Sequence, residues 1–200
     1  ENQHSYEIEN KLGLSNLIFN NIKSTFSYKI KKNFFKFNYF DKKSNQKFLY
    51  NGELFFKPFY SNLKGYAKEL NLSYLINPNG FISQILKTEL LNNKNLNIKL
   101  NINAEKILNY DGFVNILLNS NIQEGLLDID ETSFGWKNHA KFNLFDSLIY
   151  IKNGELILDA NAQINILDHN SIYKFLATPK NYRKKLKKID LNFSYNFDQK

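Results

Sequence analysis

The amino-acid sequence predicts a mainly β fold: long antiparallel strands forming a curved, one-sided sheet or open groove, accompanied by two short amphipathic helices. Three observations predict it. Apolar and polar residues alternate over long stretches, the period of a pleated strand whose successive side chains point to opposite faces. Asn-Gly and Asp-Gly pairs punctuate these stretches, and two short windows switch to helical spacing. Residues 1–200 read as one β-rich segment, with weak sub-repeats at about 24–92 and 95–200.

Near the start, Phe26, Tyr28 and Ile30 alternate with Ser27, Lys29 and Lys31, and Phe35, Phe37 and Tyr39 with Lys36 and Asn38. Aromatic and β-branched residues suit such half-buried strands. Asn51-Gly52 is expected to turn a hairpin joining 47–50 to 53–60. After Pro78, the positions Phe81, Ile82, Ile85, Leu86 and Leu90 share a helical face, with Ser83, Gln84, Lys87 and Thr88 opposite, which predicts a helix over about 80–91. In 96–104, Leu96, Ile98, Leu100, Ile102 and Ala104 face away from Asn97, Lys99, Asn101 and Asn103. Asp111-Gly112 is expected to join 96–108 to 113–119.

Asn153-Gly154 sits between two alternating runs, where a two-residue turn needs positive φ at both positions, and predicts a hairpin. The following run sets Leu156, Leu158, Ala160, Ala162, Ile164 and Ile166 against Glu155, Asp159, Asn161, Gln163 and Asn165, with Ile157 breaking the polar row. Asp168 or Asn170 can cap a helix carrying Ile172, Phe175 and Leu176, with Pro179 as its stop and a resumption through Tyr182 and Leu186. The last strand alternates Ile189, Leu191, Phe193, Tyr195 and Phe197 with Lys188, Asp190, Asn192, Ser194, Asn196 and Asp198.

Composition bounds the function. Hydrophobic residues at 42% and charged residues at 23%, with 8 Gly and 3 Pro, describe a folded segment. The chain has no Met, so it is expected to be an excerpt of a longer protein. No apolar run approaches the ~20 residues of a spanning helix, so any such anchor is expected outside it. Without Cys there are no disulfides or thiolate zinc sites. The net charge of +8 comes almost entirely from Lys, Arg183 being the one Arg. An A/T-rich coding bias yields the same Lys, Asn, Ile, Phe and Tyr mixture, and base readers and phosphate clamps favour guanidinium, so nucleic acid is not an expected partner.

No motif carries catalytic chemistry, and neither an enzyme, a cofactor nor a metal is expected. His4, His139 and His169 share no ligand spacing. Asp128, Asp130 and Glu131 resemble the opening of a calcium loop, but neither register completes one, and a strand end is the expected reading. Trp136 reads as a packing anchor. Asn71-Leu72-Ser73 and Asn192-Phe193-Ser194 match the glycosylation pattern, as chance allows in an Asn-rich chain. Arg183, Lys184, Lys185, Lys187 and Lys188 are the densest basic cluster. They read as a solvated helix end opposing the helix dipole, with anionic headgroups (Arg183, Lys184 and Lys185) or nucleic acid as functional alternatives.

The series Gln123-Glu124-Gly125-Leu126-Leu127-Asp128-Ile129-Asp130, Phe134-Gly135-Trp136-Lys137, Asp146-Ser147-Leu148-Ile149-Tyr150 and Gly154-Glu155-Leu156-Ile157-Leu158-Asp159 resembles the C-terminal region of AsmA-like proteins. So does the tail from Tyr173-Lys174-Phe175-Leu176 through Tyr182-Arg183-Lys184-Lys185 into Ile189-Asp190-Leu191-Asn192-Phe193. The resemblance implies a bacterial envelope protein held in the inner membrane by a helix outside this segment and extending through the periplasm. It also implies a β-groove for phospholipid transport and outer-membrane homeostasis, as in TamB-type relatives. Expected partners are phospholipid acyl chains, the remainder of the same long chain and outer-membrane proteins. The expected groove lining is Ile98, Leu100, Ile102, Leu156, Leu158, Ile164, Ile189, Leu191 and Phe193. A closed structural or adhesive β-sandwich and a transmembrane β-barrel use the same alternation and stand as alternatives.

Overall fold

A computed structural model describes residues 11–19, 22–40, 48–72, 77–88 and 91–199. The chain is mainly β. Its strands are β1 (Lys11–Phe19), β2 (Ile22–Lys31), β3 (Phe34–Phe40), β4 (Phe48–Phe56) and β5 (Phe59–Leu70), then, after helix α1 (Phe81–Lys87), β6 (Leu96–Ile107), β7 (Tyr110–Gln123), β8 (Leu126–Asp128), β9 (Ser133–Trp136), β10 (Ala140–Lys152) and β11 (Glu155–Ile166). Helix α2 (His169–Phe175) and a 3-10 turn (Lys180–Tyr182) precede β12 (Lys188–Asn196). The strands all join one 12-stranded sheet ordered along the chain, with short β9 paired to both β7 and β10. Among the described residues β1 pairs only with β2 and β12 only with β11, which leaves two sheet edges.

Neighbouring strands are antiparallel, as the sequence predicts, with one exception. Strands β5 and β6 run parallel, Phe59 facing Leu96 and Leu70 facing Ile107. A parallel pair needs a crossover of a dozen residues or more, and the connection containing α1 provides it. Turn chemistry sorts the hairpins. Asn153 (φ 54) and Gly154 (φ 80) make the expected two-residue turn between Lys152 and Glu155. The β6–β7 turn falls at Leu108 and Asn109 (φ 65), ahead of the expected Asp111-Gly112, and Gly112 lies inside β7 near an irregularity in the β6–β7 pairing.

The expected turn at Asn51-Gly52 is absent. Both residues are inside β4, and the hairpin turns at Lys57-Pro58, with Phe56 facing Phe59. Gly52 lies between Phe37 of β3 and Leu63 of β5, where a Cβ would stand 2.6 Å from the Phe37 ring and 2.4 Å from Leu63 Cδ2. Its lack of a side chain seats its neighbours; it does not bend the chain. Gly65 opposite Tyr50 and Gly13 opposite Tyr28 repeat the arrangement, so three aromatic rings each lie over a cross-strand glycine.

The core lies on one side of the sheet in two clusters. Ala67, Leu70, Ile102, Ala104, Ile107 and Ile116 form one, bordered by Tyr50, Leu100, Phe113 and Phe134. Leu127, Ile129, Ile149 and Leu156 form the other, where Leu86 of α1 and Leu91 are buried and Ile85 packs alongside. Each Leu so buried contributes roughly 1.5–3 kcal/mol. Ser83, expected on the outer helix face, is instead buried and donates to the Asn77 carbonyl at 2.6 Å. Leu90 lies outside the described residues. Lys87 holds the helix to Asp198 at 2.9 Å, and Asp198 accepts from the Leu156 amide at 2.6 Å.

Helix α2 begins where the sequence places it. Of the two expected caps it is Asp168 that serves, accepting from the amides of Asn170 and Ser171, while Ile172 is buried. Phe175 meets Trp136 edge-on, ring centroids 4.7 Å apart. The expected helical resumption through Tyr182 and Leu186 is reduced to the 3-10 turn, followed by irregular chain up to β12.

Candidate functional site

The pairing registers assemble one apolar face across almost the whole sheet. Ile30, Phe35, Leu54, Ser61, Ile98, Ile122, Leu127, Ile149, Leu158 and Tyr195 follow one another from β2 to β12, each in register with the next. Ser61 is the one polar side chain in that row, apart from the Tyr195 hydroxyl. The parallel row through Phe26, Tyr39, Tyr50, Gly65, Ile102 and Leu118 lies on the same face. All nine expected lining residues are on it: Ile98, Leu100 and Ile102 from β6, Leu156, Leu158 and Ile164 from β11, and Ile189, Leu191 and Phe193 from β12.

They differ in cover. Ile102 and Leu156 are buried, so they form a floor beneath their neighbours; Ile98, Leu100, Leu158, Ile164 and Ile189 are half-buried. Leu191 and Phe193 are 45% and 40% exposed and Tyr195 53%, so the edge strand presents its greasy side to the surroundings. Protein closes the face where α1 lies on Leu127, Ile149 and Leu156. Toward the opposite end of β6, a cavity of about 370 Å³ is lined by Leu70, Leu72, Ile107, Tyr110, Phe113, Ile116, Leu118, Thr132 and Phe134. That is within the range of small-molecule sites, and its walls offer dispersion and hydrophobic contact. Thr132 spends its hydroxyl on the Asn119 carbonyl at 3.0 Å.

The outward face is polar and pairs with itself across strands, as a solvated sheet face does. Asn101 donates to Asn119 at 2.6 Å, Asn97 to Gln123 at 3.3 Å and Asn192 to Asn161 at 2.7 Å. Lys36 meets Glu53 at 2.6 Å and Tyr150 donates to Asp159 at 2.6 Å. Donation from Ser194 and Tyr150 holds the Asp159 carboxyl below its ordinary pKa. On the apolar side, burial pushes the Tyr50 phenol up.

The cavity wall contains residues that the sequence reading left out of the site. Phe113, Phe134, Leu70 and Leu72 come together because β9 inserts between β7 and β10 and because Phe113 stands beside an irregular stretch of pairing. The alternation of Ile116 with Leu118 and of Phe134 with Trp136 was the available signal.

Of the remaining candidates, the acidic run and Trp136 take structural roles. Asp128 accepts from the Asp130 amide at 2.8 Å and Asp130 from the buried Ser147 amide at 2.6 Å, so the acidic run shapes the chain between β8 and β9. No group of metal-ligating side chains is present among the described residues. Trp136 contacts Phe175 and His139, as a packing anchor would. The His139 carbonyl accepts from the amides of Leu167 and Asp168; His169 contacts Tyr173; His4 lies outside the described residues. Asn192 is on β12, and Ser73 of the other glycosylation match is outside the described residues. Arg183, Lys184, Lys185, Lys187 and Lys188 are exposed. Only Lys188 is in a strand; the others follow the 3-10 turn, well past the end of α2, so the expected helix end is not what they occupy.

Set against known protein families, characterised proteins and solved structures, the chain matches none.

Proposed function

We propose that this chain is a wall segment of an AsmA-like envelope protein whose apolar sheet face carries phospholipid acyl chains. The observation that supports the reading is the register of side chains from β2 to β12, greasy but for Ser61, with a polar, self-paired face behind it. Acyl chains need a continuous apolar track and the outside of the wall needs water; one-sided strands supply both. Each CH₂ removed from water is worth about 0.8 kcal/mol, so a tail is held without any directed bond. The half-covered stretch from the Phe113 cavity to β12 is the part that receives the tail, and the stretch under α1 is closed. The described strands form one sheet, where a closed sandwich needs two. In this reading the protein is periplasmic, held in the inner membrane by a helix elsewhere in the longer chain, and works without catalysis.

A photo-crosslinking amino acid at Leu100, Leu158 or Phe113 is expected to capture phospholipid when the chain is made in a bacterial envelope, and one at Asn97 or Asn101 is not. Lipid adducts confined to the Asn positions would reject the assignment.

A further inference from the structure

The segment from Leu167 to Lys188 carries seven Lys or Arg against the single Asp168, and so holds +6 of the formal +8 of the whole chain. Asp168 is internally occupied, accepting from the Asn170 and Ser171 amides and from the Ser171 hydroxyl. The dipole of α2 does not account for this charge, because that effect fades within the last turn and Arg183 lies beyond the 3-10 turn that follows the helix. The same segment exposes large apolar side chains: Phe175 is 70% exposed, Tyr182 69%, Leu167 65% and Leu176 62%.

These side chains belong to a fixed surface. Tyr173 donates its hydroxyl to the Lys184 carbonyl, the Arg183 Nε donates to the Thr178 carbonyl at 2.8 Å, and the Ile166 amide donates to the Lys187 carbonyl at 2.8 Å. The bonds tie the basic return strand-ward chain alongside α2 and the end of β11.

We infer that this end of the molecule docks on an anionic phospholipid bilayer, Leu167, Phe175, Leu176 and Tyr182 entering the headgroup layer while the lysines meet lipid phosphates. Exposed apolar anchors beside cations are what an interfacial surface requires, since hydrophobic insertion and attraction to anionic headgroups add. A nucleic acid or another soluble polyanion would use the cations and leave the anchors unused. The assignment goes beyond the acyl-chain track and uses different residues, so either proposal can fail alone.

The 200-residue chain is expected to float with vesicles of phosphatidylcholine and phosphatidylglycerol, 7:3, and to stay behind with phosphatidylcholine alone. Each cation near such a surface changes partitioning by about fivefold, so joint replacement Lys184→Gln, Lys185→Gln and Lys187→Gln should weaken flotation by at least about tenfold. Joint replacement Leu167→Ser, Leu176→Ser and Tyr182→Ser should do the same while leaving the Phe175–Trp136 contact and its fluorescence unchanged, which verifies folding. Equal flotation with both vesicle types, no flotation at low salt, or anionic binding indifferent to the serine variant would each overturn the inference; the last would instead mark a soluble polyanion site.

Discussion

At the level of single residues, the same dipeptide has opposite fates. Asn153-Gly154 turns the chain, with both φ values positive, and Asn51-Gly52 runs straight through β4. The difference lies in the neighbours: Gly52 is flanked in register by Phe37 and Leu63, whose side chains fill the space a Cβ would take. Gly154 has nothing within 4 Å of such a Cβ, so its constraint is conformational alone. Gly52→Val should therefore displace the Phe37 ring and cost about 1–3 kcal/mol, a Tm fall of roughly 2–10 °C for a chain of this size. Gly154→Ala should cost about 1 kcal/mol through backbone strain. Thermal unfolding of the two variants, with loss of ring contacts in the NMR spectrum of Gly52→Val alone, separates the two mechanisms. The cross-strand partner of a glycine is a long-range fact, and Asn51-Gly52 as a local string does not contain it.

At the level of elements, strands were legible wherever alternation set the burial, whereas helical spacing put Ser83 on the wrong face and extended the second helix through Tyr182 and Leu186, where only a 3-10 turn forms. The runs 96–104 and 155–166 are strands with the expected faces, the run 188–198 is strand as far as Asn196, and Asp168 caps α2 ahead of Ile172 and Phe175. What the pattern left open was direction: alternation is identical in parallel and antiparallel strands, so the β5–β6 pairing rests on the crossover through α1. That crossover is held by Asp198, whose pKa is lowered first by the Leu156 amide and then by Lys87. A carboxylate lowered by folding contributes stability that is complete above its unfolded pKa and disappears as pH falls through the folded one. The contact of α1 with the β11–β12 end should thus loosen in acid, below the ordinary carboxylate range. Following the Leu156 amide by NMR during acid titration should show this, and Asp198→Asn should flatten the response; an amide shift unchanged by the substitution would exclude the clamp.

Over the whole molecule, the nine expected lining residues do share one face, because strict alternation within each strand survives translation through the registers. Alternation showed single residues of the cavity wall such as Ile116 and Phe134, but their convergence was not legible, since it depends on the inserted β9. Pairing follows the order of the chain: among the described residues, no two strand partners are separated by more of the chain than Ile157 and Asn196. A chain ending at Ile166 should therefore keep its β-sheet circular dichroism and the amide protection of β2 to β7, losing protection in β11 and around α1. Collapse of protection across the whole sheet on that truncation would show that the strands are not locally sufficient.

Pairing in chain order has a consequence for how the protein is made. Closure of short loops is fast and long-range contacts are slow, so each hairpin strand has its neighbour at hand soon after it emerges, while β6 and β12 wait for the longer connections through α1 and α2 to close. A polypeptide that appears end-first can stack itself like fan-folded paper, and each added pleat leaves the pleats already laid undisturbed.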